Sequence, residues 1–249
     1  MVNFVGCGER RVRGFSIISF MLFWSASTCG FFTGVALADG MLPETTVVVL
    51  YEEEGEATIN IKNTDAGPAL LHSVVENVPE DPQLLLIVTP PITRVEAGDT
   101  QLVRFISTQG EPLKTQRLKR VSFEGIPQAR TAGGATIGIT LRQNLPLILH
   151  PKGLPRHSTP WELLKWKRTG QGLTAHNDSA YVVRLAPEVR LLPQGAPATL
   201  PRAYLLPGEA LTAEVDGPLD GVAEVEIQPA TVYGFSVENY RAPILTDEG

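Results

Sequence analysis

The segment from 88 to 105, VTPPITRVEAGDTQLVRF, limits the fold more than any other part of this sequence. Pro90 and Pro91 fix φ and remove two backbone donors, so they belong at the edge or start of a strand rather than inside a ladder. Gly98 and Asp99 predict a turn, after which Gln101 to Phe105 resumes a β-type pattern. The segment therefore predicts an extended proline corner, a tight turn and a strand in succession.

Short β-type runs also recur along the rest of the chain. In the run 57–62, for example, Ile59 and Ile61 alternate with polar residues, which is typical of a half-buried strand. The other predicted strands are 45–51, 84–88, 102–106, 119–123, 136–141, 145–149, 173–176, 181–186, 202–206, 210–215 and 223–228. The run 161–166 fits either a short helix or a strand, and we assign it to a strand. This spacing, without a long amphipathic helix, predicts β-sandwiches of immunoglobulin type.

The first 38 residues have the order of a secretory signal. Arg10, Arg11 and Arg13 precede an uncharged, mainly apolar run from 15 to 37, and an Ala-Leu-Ala triplet ends at Ala38. We therefore predict cleavage after Ala38 and export to the periplasm. The apolar run is also long enough to span a bilayer if it is left uncut, since a spanning helix needs ~20 residues. A membrane-tethered form is thus the alternative.

Without this leader, the chain has no cysteine, because Cys7 and Cys29 both lie within it. The mature protein is therefore not a disulfide-stapled module. Its 18 basic and 26 acidic residues give a formal net charge of −8, against −6 for the whole chain. An acidic surface of this kind argues against nucleic acid as a partner.

The mature chain of roughly 211 residues suits two domains of about 100 residues each. A stretch rich in proline, glycine and polar residues at 151–160 separates two β-rich halves. We therefore predict a signal peptide at 1–38, an N-terminal domain at 39–152 and a C-terminal domain at 153–249.

The strand at 136–141 carries the most distinctive side chains. Ile137, Ile139 and Leu141 alternate with smaller or polar residues, so they project from one side of the strand. From periodicity alone, these three side chains could simply face the core of their own domain.

The segments 88–105, 120–127 (RVSFEGIP) and 140–151 (TLRQNLPLILHP) resemble PapD-like periplasmic pilus chaperones, of the short-loop type. The resemblance implies two immunoglobulin-like domains in an L-shaped arrangement. It also implies that Ile137, Ile139 and Leu141 are lent as a strand to a pilin subunit, which the chaperone caps and delivers to an outer-membrane usher. Pilin and usher are thus the expected partners, and self-association of the unladen chaperone is left open.

This sequence departs from the family at two sets of positions that are charged in other members. The basic residues that hold the pilin carboxylate in the family align near Val47 and at Pro146, so we expect Arg142 and Asn144 to replace them. A merely solvated Arg142 is the alternative. The neighbouring hydroxyl positions match, as Thr46 and Ser179.

The second departure is at the contact between the domains. A charge network of the family aligns with Gln116, His150 and Asn239, which predicts a neutral, hydrogen-bonded substitute.

Other classes of function fit the sequence less well. The four histidines lack metal-type spacing, and no phosphate loop or nucleophile elbow occurs, so we expect no enzyme activity, cofactor, metal or small-molecule substrate. A secreted immunoglobulin-like adhesin or a pilus structural subunit is the alternative that shares the same fold, and fold does not imply function.

Overall fold

A computed structural model of the protein describes residues 40–128, 140–169, 172–231 and 237–246. The first half of this structure consists of strands. They are β1 (Met41–Pro43), β2 (Val48–Tyr51), β3 (Glu56–Asn63), β4 (Ala69–Asn77), β5 (Leu86–Thr89), β6 (Ile92–Val95), β7 (Thr100–Ser107), β8 (Arg117–Pro127) and β9 (Arg142–His150). The predicted donor residues Ile137 and Ile139 lie outside the described residues, whereas Leu141 is included.

These strands form two sheets with a common core. One sheet has the order β1-β3-β7-β5, and the other has the order β2-β9-β8-β4-β6. Alternation places Ile61 and Phe105 of the first sheet against Phe123 and Leu147 of the second, and all four side chains are fully buried. The rings of Phe105 and Phe123 meet edge to face, with centroids 6.5 Å apart. This face-to-face packing makes the first half a β-sandwich.

The proline corner lies where the sequence predicts it. Pro90 and Pro91 fall between β5 and β6, which belong to different sheets, so the corner carries the chain from one sheet to the other. Gly98 has a φ of +78°, a conformation that favours glycine, and its N–H donates to the Asn63 carbonyl at 2.9 Å. The turn that Gly98 and Asp99 predict is thereby confirmed.

The second half begins with a short 3-10 helix, Pro160–Leu163, followed by strands. They are β10 (Lys165–Thr169), β11 (Gly172–His176), β12 (Val183–Leu185), β13 (Glu188–Leu192), β14 (Ala196–Thr199), β15 (Tyr204–Leu205), β16 (Ala210–Val215), β17 (Glu224–Ile227), β18 (Pro229–Ala230) and β19 (Tyr240–Thr246). The assignment of 161–166 to a strand is therefore wrong for its first part, because Pro160 starts a helical turn there.

Seven of these strands form a ring of hydrogen-bonded neighbours in the order β10-β11-β16-β14-β13-β17-β19, and β19 pairs in parallel with β10. A separate sheet has the order β15-β12-β18. Trp166, Leu173 and Val225 lie at the centre of the enclosed core. No helix within the described residues is long and apolar enough to cross a membrane.

A third apolar cluster joins the two halves. Leu118 and Ile148, on the outer face of the second sheet of the first sandwich, pack in this cluster with Val182, which directly precedes β12. Tyr204 and Leu206 also border it. The outer faces of β8 and β9 are therefore partly covered by the second half of the chain.

Candidate functional site

Strand β9 is held on both sides by other strands. It pairs in parallel with β2 and antiparallel with β8, so its register is fixed along its whole length. Leu145, Leu147 and Leu149 point into the core, and Leu141 has the same parity but lies just before the strand begins. Its side chain is 42% exposed, unlike the leucines that follow. The alternation that points side chains of β9 into the core thus extends to Leu141, where it leaves an apolar side chain partly exposed.

The opposite face of β9 carries the two predicted anchor residues, Arg142 and Asn144. The Arg142 guanidinium forms an ion pair with Glu76 of β4 and donates to the Ser122 hydroxyl at 2.9 Å. Ser122 in turn donates to Glu76 at 2.9 Å. Arg142 is therefore engaged by a carboxylate of its own sandwich.

Asn144 accepts hydrogen bonds from a second arginine, Arg120 of β8. The Arg120 Nε donates to the Asn144 side-chain oxygen at 2.6 Å, and its Nη2 donates to the Asn144 carbonyl at 2.8 Å. Arg120 lies directly opposite Pro146 in the antiparallel register. A guanidinium thus occupies the outer face next to Pro146, where the sequence lacks the expected basic residue.

Arg184 of β12 faces the same region from the second half. Residues two apart along a strand lie on the same face. Arg184 therefore lies on the same face as Val182, and Arg120 on the same face as Leu118. Val182 and Leu118 belong to the same apolar cluster, which places both arginines next to the contact between the halves. Burial and the nearby charge of Arg120 lower the pKa of Arg184. Burial also lowers the pKa of Arg120, against the opposing influence of Glu76 and Tyr204.

The predicted hydroxyl residues lie in loops. Thr46 is exposed between β1 and β2, and Val47 beside it is buried in the cluster between the halves. Ser179 donates to the Asn177 side-chain oxygen at 2.6 Å and accepts from the Tyr181 N–H at 3.2 Å. Ser179 therefore stabilises a local turn, and a role of either hydroxyl in binding stays a prediction.

Gln116 and His150 meet at the contact between the halves. The Gln116 backbone N–H donates to the Ala180 carbonyl at 2.9 Å, and its side-chain oxygen accepts from the Val182 N–H at 2.8 Å. The Gln116 amide nitrogen lies 2.9 Å from His150 Nδ1, and His150 Nε2 lies 2.8 Å from the Leu154 carbonyl. Because a carbonyl can only accept, Nε2 carries the proton and Nδ1 accepts from Gln116.

Asn239 does not join this pair. Its side-chain nitrogen donates at 3.2 Å to Glu226, in an exposed contact within the second half. Of the three aligned hinge residues, the structure thus brings together two.

A charged contact between the halves escaped the sequence analysis. Glu80, in the turn after β4, forms an ion pair with Arg202 and accepts from the Tyr204 hydroxyl at 2.7 Å. Burial favours the neutral carboxyl of Glu80, but these partners outweigh it and lower its pKa. Burial and the bond to Glu80 raise the pKa of Tyr204 to about 12. The contact between the halves is thus only partly neutral.

A second charged cluster was also missed, and it lies within the first sandwich. Lys119 is fully buried, and its Nζ donates to the carbonyls of Asp81 at 2.6 Å and Gln83 at 2.8 Å. The Asp81 carboxylate lies 3.1 Å from the same ammonium and also pairs with Arg117. Only the pairing of the strands reveals these partners, since Asp81 and Lys119 are far apart in sequence.

Comparisons with known proteins decide the family. Residues 40–155 match the family described as pili and flagellar-assembly chaperone, PapD N-terminal domain. The chain is 40% identical over 205 residues to the fimbrial chaperone YhcA of Escherichia coli K12, covering 82% of this chain and 90% of that protein. The chain belongs to the family of PapD-like fimbrial chaperones.

Solved structures of other chaperones share the fold. The Salmonella enterica SafB chaperone, in complex with the SafA pilin, superposes with a TM-score of 0.69 at 22% identity, covering 82% of this chaperone and 95% of that chain. The Pseudomonas aeruginosa CupB2 chaperone gives 0.66 at 20% identity, covering 82% and 100%. The all-β fold with two immunoglobulin-like domains, predicted from the sequence, is confirmed.

Proposed function

We propose that the mature protein is a periplasmic chaperone that binds pilin subunits by lending them residues 137–141 as a strand, and delivers them to an outer-membrane usher. Membership of the fimbrial chaperone family supports this function. The observation that carries it is Leu141, an apolar side chain of core parity that is 42% exposed at the start of β9.

Strand donation has a clear physical rationale. A pilin that lacks its last strand exposes an apolar groove and unpaired strand edges, and both features promote aggregation. A lent strand supplies backbone hydrogen bonds to the edges and apolar side chains to the groove. At ~25 cal/mol per Å² and on the order of 100 Å² per side chain, three such residues contribute several kcal/mol before ordering costs.

The firmly paired β9 suits this role. Its pairing with β8 extends to Arg142, opposite Glu124, and so fixes the direction and register of the chain immediately after the proposed donor residues. A donor strand that continues a fixed strand loses less entropy on binding than a free peptide of the same sequence.

The leader and the domain limits belong to the same proposal. The charged, apolar and Ala-Leu-Ala order of residues 1–38 supports export with cleavage after Ala38. The stretch between β9 and the 3-10 helix, from 151 to 159, supports limits at 39–152 and 153–249.

Co-purification from periplasm tests the donor strand. The tagged chaperone is co-expressed with candidate pilins, and wild type is compared with Ile139→Asp and Leu141→Asp. A carboxylate buried without a partner in an apolar groove is strongly unfavourable, so we expect loss of pilin from both variants.

The matched control is Leu102→Asp, at a side chain that is 45% exposed on β7 of the other sheet. It adds the same charge away from the donor strand, and we expect it to retain pilin. Circular dichroism reports whether each variant is folded. Folded Ile139→Asp and Leu141→Asp variants that still retain pilin would refute strand donation through these residues.

A further inference from the structure

We propose that Gln116 and His150 form an acid-sensitive latch between the two halves of the chaperone, and that protonation of His150 opens this latch. Gln116 belongs to the first half, directly before β8, and its partner Val182 belongs to the second half, directly before β12. His150 ends β9, and only 6% of its surface is exposed. A change of charge on His150 therefore acts directly on the contact between the halves.

The latch is a chain of hydrogen bonds whose two ends are backbone groups. At one end, His150 Nε2 donates to the Leu154 carbonyl at 2.8 Å, and at the other end the Val182 N–H donates to the Gln116 side-chain oxygen at 2.8 Å. Between these ends, the Gln116 amide nitrogen donates to His150 Nδ1 at 2.9 Å. A carbonyl can only accept and a backbone N–H can only donate, so both ends impose the same direction on the chain. A neutral His150 with its proton on Nε2 satisfies every group.

An imidazolium breaks this chain of hydrogen bonds. A protonated His150 carries a proton on both ring nitrogens, so its Nδ1 becomes a donor that faces the donating amide of Gln116. Turning the Gln116 amide over would present its oxygen to Nδ1, but it would also present its nitrogen to the Val182 N–H. Either arrangement leaves two donors facing each other at a buried contact, which is unfavourable. Separation of Gln116 from Val182 removes this conflict.

Charged groups that surround His150 lie outside the chain of hydrogen bonds. The Arg156 guanidinium lies 4.3 Å from the centre of the Tyr51 ring, which in turn meets the His150 ring edge to face at 5.2 Å. Arg156 and His157 line a cavity of about 160 Å³ beside His150, so both contribute positive charge in acid. Glu53 lines a neighbouring cavity, but its side chain is exposed, and water screens its attraction for an imidazolium.

Two further titratable groups near His150 are held by backbone partners. The Glu52 carboxylate accepts from the N–H groups of Leu113 and Lys152, at 2.8 and 2.7 Å. The Tyr181 hydroxyl, next to His157, donates to the Pro155 carbonyl at 2.8 Å. Within the described part of the chain, the His150 ring bonds to Gln116 and Leu154, and neither group carries a charge.

The ion pair of Glu80 with Arg202 also joins the halves, but it keeps its charges when the pH falls from 7 to 5. Burial opposes ionisation of Glu80, but its bonds to Tyr204 and Arg202 outweigh burial and hold its pKa below the ordinary 4.5. Burial and the bond to Glu80 raise the pKa of Tyr204 to about 12. Between pH 7 and 5, the latch is therefore the part of this contact that responds.

The direction of the pH effect follows from the neutral form of His150. The closed latch binds one proton fewer than the open latch, so it is fully formed above the range in which histidine ordinarily titrates, at about pH 6.5, and is lost as the pH falls below that range. Each pH unit below about 6.5 shifts the ratio of closed to open latch by up to about tenfold towards the open form.

Amide hydrogen exchange, measured by NMR on the mature protein from pH 7 to 5, tests the latch. Two N–H groups bond across it: that of Val182 donates to the Gln116 side chain, and that of Gln116 donates to the Ala180 carbonyl at 2.9 Å. Correction for the intrinsic exchange rate at each pH gives protection factors, which measure opening. We expect both factors to fall at least about tenfold in wild type. The factor of Ala186, whose N–H donates at 2.8 Å to the Gln228 carbonyl within the second half, should stay constant.

Two asparagine variants separate the two imidazoles. His150→Asn cannot titrate but retains an oxygen that can accept from Gln116, so its Val182 protection should not depend on pH. His157→Asn is the matched control, because it removes the other imidazole of the same cavity, and it should keep the wild-type dependence. A Val182 protection factor that stays constant in wild type, or that falls equally in His150→Asn, would overturn the proposal.

Gln116→Glu gives a second, independent test in case the His150→Asn latch is already open at neutral pH. The new carboxylate can accept from both the imidazolium and the Val182 N–H. The protection factor of Val182 in this variant should therefore rise as the pH falls from 7 to 5, opposite to wild type. A fall as steep as that of wild type would also overturn the proposal.

Discussion

Lys119 and Arg120 are consecutive residues of β8 with the same charge and opposite surroundings. Lys119 faces inward, is fully buried, and is surrounded by the Asp81 carboxylate and two carbonyl oxygens. Arg120 faces outward, its hydrogen bonds to described residues go to the neutral Asn144, and it lies near a second arginine, Arg184. The comparison separates a charge that a carboxylate neutralises within the fold from a charge whose hydrogen bonds go to a neutral residue.

The largest expected effect on stability comes from removing the Asp81 carboxylate, the partner of the inward-facing Lys119. Asp81→Asn should lower the free energy of unfolding by about 3 kcal/mol, because it leaves the buried Lys119 without a counter-charge. Urea denaturation followed by circular dichroism measures this loss. A loss below about 1 kcal/mol would mean that the two carbonyls alone satisfy Lys119, and the contrast with Arg120 would fail.

Acid should weaken the same pair more gradually. Burial opposes ionisation of Asp81, but bonds from Arg117 and Lys119 outweigh it and lower its pKa below the ordinary 3.8. The ionised carboxylate therefore stabilises the fold fully above about pH 4, and this contribution is lost as the pH falls through the lowered pKa.

The measurement is the difference in unfolding free energy between wild type and Asp81→Asn at a series of pH values from 7 to 3. This difference should be constant at neutral pH and shrink below pH 4. The contributions of the other carboxylates are the same in both proteins and cancel. A difference that does not change with pH would show that Asp81 contributes no ionised pair.

The smallest effect on stability is expected from removing the outward-facing charge of Arg120. Arg120→Leu should leave the free energy of unfolding within about 0.5 kcal/mol of wild type, because it removes a half-buried charge that forms no ion pair with the residues that the structure describes. The same urea titration applies, with Arg94→Leu as the matched exposed control. A loss of about 1 kcal/mol or more would show that Arg120 stabilises the fold through its bonds to Asn144.

The sequence predicts much of the first sandwich, since alternation and turn residues are strong there. Strand β7 and the Gly98 turn lie where the segment 88–105 places them. Strand β4 was missed because pairs such as Leu70-Leu71 and Val74-Val75 break the period of two. The hairpin of β13 and β14 was missed too, since Pro197 lies within its second strand.

The site was only partly accessible to sequence reasoning, because its chemistry depends on register. Alternation along β9 places Arg142 and Asn144 on one face, but only the pairing with β4 and β8 shows what they contact. Arg120 shares its face with Leu118, and that parity was a signal within the sequence. Its position opposite Pro146 depends on a register that no local pattern encodes.

The fixed register of β9 also sets the distance between two positions along this strand. Leu141 lies five residues before Pro146, the position opposite Arg120, and at ~3.4 Å per residue this separation is ~17 Å. A shift of one residue in this register would turn Leu141 to the outer face of the sheet, so the pairing of β9 with β8 decides which side of the chain presents this exposed apolar side chain.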